Sequence, residues 1–139
     1  MLGKSVILGA AALTLCGAAL AQSPPPNPPL TLSPIKRSII SKSELPNSNY
    51  EVTTAVVEVA PGFKAPRQLH PGTVAAYVIA DACWFAMDGQ PEKIYSAGEA
   101  LEVADHAVHA EGAATADQPC KMYAVYVLEK GQPLVVPIK

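Results

Sequence analysis

The sequence predicts an all-β domain, a sandwich or barrel, and three observations carry that reading. Short runs rich in Val, Thr, Ile and Tyr recur along the chain, and turn signals such as Pro61-Gly62 and Asp88-Gly89 interrupt them at the spacing of roughly 8–12 residues usual for sandwiches. Fourteen prolines and nine glycines in 139 residues leave little room for long helices. Half of the residues are hydrophobic, enough for one domain with one core.

The first segment reads as an export signal. Lys4 supplies a positive charge, Val6–Leu20 is apolar, and Ala19-Leu20-Ala21 precedes Gln22 as a small-x-small cleavage site. The run is shorter than the roughly 20 residues of a membrane span. Lipoprotein processing at Cys16 is a further alternative, although Leu15 stands where such a signal wants a small residue. Cleavage after Ala21 leaves a mature chain of 118 residues with net charge −3. The expectation is a periplasmic or secreted protein with no membrane attachment after cleavage.

Residues 22–49 form a proline-rich tether and the segment that enters the fold. Gln22–Pro34 holds six prolines and no charge, which makes it extended and polyproline-like. Lys36–Asn49 is polar with scattered Ile and Leu and has room for one short strand. The barrel proper is expected over residues 50–139. Glu51–Val59 is a Val- and Thr-rich strand stopped by Pro61-Gly62. Val74–Ala80 and Cys83–Met87 are two more β-compatible runs, the second ended by the hairpin signal Asp88-Gly89. Ile94-Tyr95, Leu101–Val103, Ala107–Ala110, Met122–Leu128 and Leu134–Ile138 continue the series.

One stretch has a second reading. Ser96–Asp117 is rich in Ala and Glu, both good helix formers. As a helix it would place Glu102, His106 and His109 on one face, a three-ligand metal pattern. Gly98 and Gly112 at its ends, and the lack of an apolar stripe beside the ligands, count against it.

Composition also removes functions. Charged residues are 16% of the chain and acids outnumber bases, so no basic excess exists to neutralise nucleic-acid phosphates. Glycine-rich nucleotide loops and a Gly-x-Ser-x-Gly elbow are absent. Two cysteines survive signal cleavage, Cys83 and Cys120. In an oxidising compartment they form a candidate disulfide; the alternative is two buried thiols in neighbouring strands. Their apolar surroundings argue against a cysteine nucleophile.

Three histidines carry the remaining chemistry. His70 lies before the turn Pro71-Gly72, and on a strand Gln68 and His70 point to the same side. His109 follows some forty residues later on another short β segment. Spacing alone leaves open whether the two converge. Arg67, beside Gln68, is a candidate to hold an anionic substrate at a pocket rim, or is simply solvated. Tyr77, Trp84, Phe85, Tyr123 and Tyr126 are candidates for core or pocket lining.

These residues resemble the cupin superfamily. Pro61-Gly62, Gln68-x-His70-Pro71-Gly72-Thr73 and Tyr77-Val78-Ile79 are similar to its first motif, Gly, five residues, His-x-His, three or four residues, Glu, six residues, Gly. Gly98-Glu99-Ala100, through Val103-Ala104-Asp105-His106, to His109 resembles the second: Gly, five residues, Pro-x-Gly, two residues, His. The resemblance covers about residues 50–138 and extends to small exported bacterial single-domain members. It implies a cupin-like double-stranded β-helix, or jelly-roll barrel, and favours strands over helix in Ser96–Asp117.

The resemblance further implies a pocket holding a divalent ion (Fe, Mn, Zn, Ni or Cu) on three histidines and a glutamate. At the matching positions this chain has Gln68, His70, Val74 and His109. The expected metal set is therefore His70, His109 and Gln68, with His106 able to swing in as a further imidazole. Glu99, Glu102 and Glu111 are the acids that could compensate for Val74. Asp81 and His106 stand where the motifs have glycine, and Ala104 where the second has proline. Arg67, Tyr77 and Trp84 are the expected substrate-pocket residues. Two functions stay open: a metal-dependent enzyme, such as an oxygenase or isomerase, and a non-catalytic small-ligand binder or sensor that has lost the metal. Homodimers, common in the family, are an expectation for this chain as well.

Overall fold

The computed structural model describes Ser33–Lys139, so the signal segment and most of the proline-rich stretch lie outside the described residues. Every regular element in this range is a strand: β1 (Ile35–Glu44), β2 (Tyr50–Val59), β3 (Gln68–Leu69), β4 (Gly72–Met87), β5 (Lys93–Ser96), β6 (Ala100–Val103), β7 (His109–Ala113), β8 (Cys120–Glu129) and β9 (Val136–Pro137). The helix considered for Ser96–Asp117 is replaced by β6 and β7, which pair antiparallel with β4. Alanine there reflects the small residues of a barrel wall, and Gly98 and Gly112 mark the ends a helix could not cross.

The strands form one curled antiparallel sheet in the order β1-β2-β8-β4-β7-β3-β9, with β5 and β6 also on β4. β4 is the element that makes two layers from one sheet. Its first half pairs with β8 and β6, and its second half with β7 and β5. Between them the register with β8 slips at Val78/Ala80, and Asp81 takes a left-handed φ of 58°. A bulge of this kind bends a strand and increases its twist. The two separate runs read from the sequence are thus one strand with a corner in it. β1 is longer than the short strand expected, and it pairs with β2 along its whole length.

Alternation does the rest. The side chains of β2 that point inward are Glu51, Thr53, Ala55, Val57 and Val59, and those of β8 are Cys120, Met122, Ala124, Tyr126 and Leu128. With Val74, Ala76, Val78 and Phe85 of β4 and Leu101 and Val103 of β6, all of these but the polar Glu51 and Thr53 make the core. Each fully buried Val, Met or Phe contributes about 1.5–3 kcal/mol to it. At one end of the core Cys83 and Cys120 are joined by a disulfide across 37 residues of sequence. At the other end, the wall of Gly72 approaches β8 so closely that a Cβ would strike the carbonyl oxygen of Val127 and Leu128.

Candidate functional site

The polar end of the barrel is built by three short pieces of chain. β3 places Gln68 inward, and His70 follows with the same parity; both are almost fully buried. β7 lies beside β3 in a register that sets His109 opposite Gln68. Two residues on, and so on the same face, Glu111 is also buried. The rings of His70 and His109 meet at 4.9 Å between centroids. Tyr126 of β8 meets His70 edge-on at 5.5 Å, and Phe85 of β4 stacks on His109 at 6.3 Å.

Backbone carbonyls fix both imidazoles. Nδ1 of His70 donates to the carbonyl of Leu134, and Nδ1 of His109 donates to that of Ala107 at 3.1 Å. On His109 this leaves Nε2 facing Gln68. The Gln68 side-chain amide stands 3.5 Å from Nε2 of His109 and donates to Glu111 Oε1 at 3.1 Å. Burial pushes the His70 pKa down from 6.5, with His109 and Arg37 adding to the effect and the Leu134 carbonyl and Glu111 opposing it. Burial raises the Tyr126 pKa, and Glu111 raises it further.

The residue that sequence reading missed is Arg37. It reaches in from β1, and its Nη2 donates to Glu111 Oε1 at 2.6 Å. Its Nε is buried without a hydrogen-bond partner. The only signal for it was parity: Arg37 shares a face of β1 with Ile35, which packs on the core.

Other expected site residues fall elsewhere. His106, which has a left-handed φ of 57°, points outward and bonds Asp105 at 2.6 Å. It does not join the cluster, because this corner turns its side chain to solvent. Arg67 faces away from its inward neighbour Gln68 and pairs with Asp88 on the surface. Tyr77 lies on the outer face of β4 and is about half exposed. Trp84 also faces out, donating to Glu92 at 2.9 Å with the Lys64 ammonium over its ring. None of the three lines the interior. Of the candidate acids, Glu111 enters the cluster, Glu99 caps the Ser96 amide at 2.7 Å, and Glu102 lies on the exposed side of β6. Val74, at the motif's glutamate position, is buried beside Tyr126.

This donor set fits a tightly held divalent ion poorly. Among the described residues, no group of three or more His, Cys, Asp or Glu side chains is placed to hold one. The one carboxylate present is engaged by a permanently charged guanidinium, whose field opposes a second cation. What the arrangement offers instead is a set of fixed donors, the guanidinium, the Tyr126 hydroxyl and the Gln68 amide, beside two oriented imidazoles.

No family model matches the chain, and no curated protein matches it. Solved structures do. A cupin-like protein from Thermotoga maritima is 21% identical over 75% of this chain and 75% of its own, with a TM-score of 0.58. The DMSP lyase DddQ of Ruegeria pomeroyi is 23% identical over 65% of this chain, with a TM-score of 0.54, and this chain spans only 44% of its length. Oxalate decarboxylase of Bacillus subtilis, which has Mn(II) centres, is 21% identical over 63% of this chain and 24% of its own, with a TM-score of 0.54. At these identities what is shared is architecture. The chain has the cupin fold, a double-stranded β-helix.

Proposed function

We propose that this protein is an exported, non-catalytic cupin-fold module that binds a small anionic molecule at the polar end of its barrel. One observation carries the reading. The interior places a guanidinium, not a full ligand set, among His70, His109, Gln68 and Glu111. An arginine fork suits carboxylates and other oxyanions, and the buried Arg37 Nε is a donor that such a ligand would satisfy. The Lys4, Val6–Leu20, Ala19-Leu20-Ala21 pattern supports export.

Elemental analysis and native mass spectrometry of the chain purified from a periplasmic fraction test this together. The expected outcome is metal in trace amounts, a small acidic molecule retained by the wild type and lost from Arg37→Lys, and Gln22 at the N-terminus. Near-stoichiometric Fe, Mn, Zn, Ni or Cu that disappears with His109→Ala overturns it in favour of a metal-dependent enzyme.

A further inference from the structure

Under the turn between β4 and β5 lies a hollow that adjoins the polar cluster. Phe85, Met87 and Tyr95 wall its volume of about 240 Å³, with Pro91, Glu92 and Lys93 exposed at its rim. That is below the roughly 300 Å³ at which drug-sized ligands begin to be held, so what fits it is short and narrow. Its walls are register neighbours of the cluster. Met87 of β4 stands opposite His109 of β7, and Phe85 opposite Glu111. On the other side of β4, Phe85 pairs with Lys93 of β5 and Cys83 with Tyr95. Directly opposed residues of antiparallel strands share a face. Glu111, Phe85 and Lys93 therefore form one inward row, and Gln68, His109 and Met87 the next.

The first row has a cation at either end. Arg37 donates to Glu111 at 2.6 Å, and its Nε is buried without a partner. Two strands away, the Lys93 ammonium rests 4.2 Å above the Tyr95 ring. Salt bridges among the described residues engage Lys42, Lys121 and Lys130, but not Lys93. The neighbouring Glu92 accepts from the outward-facing Trp84 indole at 2.9 Å. Between the cations the surface is apolar, with Phe85 and Tyr95 edge to face at 5.8 Å. Such a surface disfavours charge at a ligand's centre and favours it at the ends. We propose that the ligand of the polar end is a short straight-chain dicarboxylate. One carboxylate meets Arg37 and Gln68, the other meets Lys93, and the methylenes lie over Met87 and Phe85. This rests on the reading of the polar end as an anion site, and names the anion.

The row also sets a length. Neighbouring strands lie about 4.8 Å apart, so Glu111 and Lys93 are separated by about 10 Å. A hydrogen bond of about 3 Å takes up part of that span, which leaves about 6–8 Å between the two carboxyl carbons. An extended chain advances about 1.2 Å per bond, so diacids of about six to eight carbons fit.

Calorimetric titration of the purified chain with adipate, pimelate and suberate, and with hexanoate, heptanoate and octanoate, tests this. The best diacid is expected to bind about fivefold more tightly than the monoacid of equal length, the factor a partly exposed ion pair supplies. Lys93→Gln should abolish that advantage and leave monoacid affinity within about twofold; the residue is exposed, so the variant keeps the fold. Equal affinity for diacids and monoacids, or an advantage that survives Lys93→Gln, overturns the dicarboxylate assignment and leaves the anion site standing. Failure of all six acids to bind overturns the assignment likewise. Binding that Arg37→Lys does not weaken overturns the reading of the polar end, and this assignment with it.

Discussion

The two ends of the barrel are made by the same strands yet hold together by different physics. Along β2 and β8 the inward pairs run from Val59 with Cys120, through Val57 with Met122 and Ala55 with Ala124, to Thr53 with Tyr126 and Glu51 with Leu128. The first three pairs are apolar or covalently stapled, and need only shape. Beyond them the interior turns polar, and its buried side chains lean on one another: Gln68 on Glu111, Glu111 on Arg37, His70 on the Leu134 carbonyl. The apolar end can absorb a change of side chain by repacking, whereas the polar end fails when one member of the network is lost. The module thus has a robust base and a specific, easily perturbed top.

The covalent staple sharpens this contrast most. Closing a 37-residue loop restricts the unfolded chain by about 4 kcal/mol. The double variant Cys83→Ala/Cys120→Ala is expected to lose about that much stability in denaturant titration, with an unchanged far-ultraviolet spectrum at low denaturant. An effect below about 1 kcal/mol would mean that the base relies on packing alone.

At the other end, Glu111→Ala leaves the Arg37 guanidinium and the Gln68 amide without their acceptor. A loss of about 3 kcal/mol is expected, at the low end for a broken buried pair because Arg37 keeps some contact with solvent. The double variant Arg37→Met/Glu111→Leu removes both charges and should recover most of that loss. Equal destabilisation by the single and the double variant would break the comparison, because it would show that the polar end is held by shape as the base is.

pH acts on the polar end through His70. Burial holds the folded-state pKa of His70 below 6.5, while Arg37, Glu111, His109 and Tyr126 surround it. The unfolded chain therefore binds more protons than the folded chain as pH falls through the His70 range. Stability from this group is full above about 6.5 and declines below it until the depressed folded pKa is reached. Denaturation midpoints measured across that range should fall with pH in the wild type. In His70→Gln the dependence should flatten, and an unchanged slope would move its origin to another group.

Much of this arrangement was legible in the sequence, and each failure has a physical cause. Period-two spacing put Gln68 and His70 on one face, and the motif spacing brought His109 to them. Trp84 was misplaced because β4 changes parity at its corner, whereas Tyr77 lies before it. Even-numbered residues point inward up to Val78, and Cys83 and Phe85 do so afterwards. Parity along the first half would have put Tyr77 outside, but nothing local announces the switch, since Asp81 stands where a glycine would have marked it. Arg37 was hidden for a different reason. Its partner Glu111 is 74 residues away, and an arginine in a polar edge segment reads as solvated until tertiary pairing is known.

The smallest expected effect concerns two corners, Asp81 beside the disulfide end and His106 beside the polar end. Asp81 and His106 adopt φ of 58° and 57°, a left-handed conformation that costs a residue with a Cβ about 1 kcal/mol. Glycine removes that cost but adds about 0.5 kcal/mol of unfolded-chain entropy. Asp81→Gly and His106→Gly should therefore each stabilise the fold by about 0.5 kcal/mol, the balance of the two terms. The side chains differ in one respect that makes the pair informative. His106 bonds Asp105 across exposed surface, a contact worth little, so its loss should not reverse the sign. Ligand retention should be untouched in His106→Gly, because this imidazole lies outside the cluster. If retention falls with His106→Gly while stability rises, the corner takes part in binding, and the boundary drawn here between scaffold and polar end is in the wrong place.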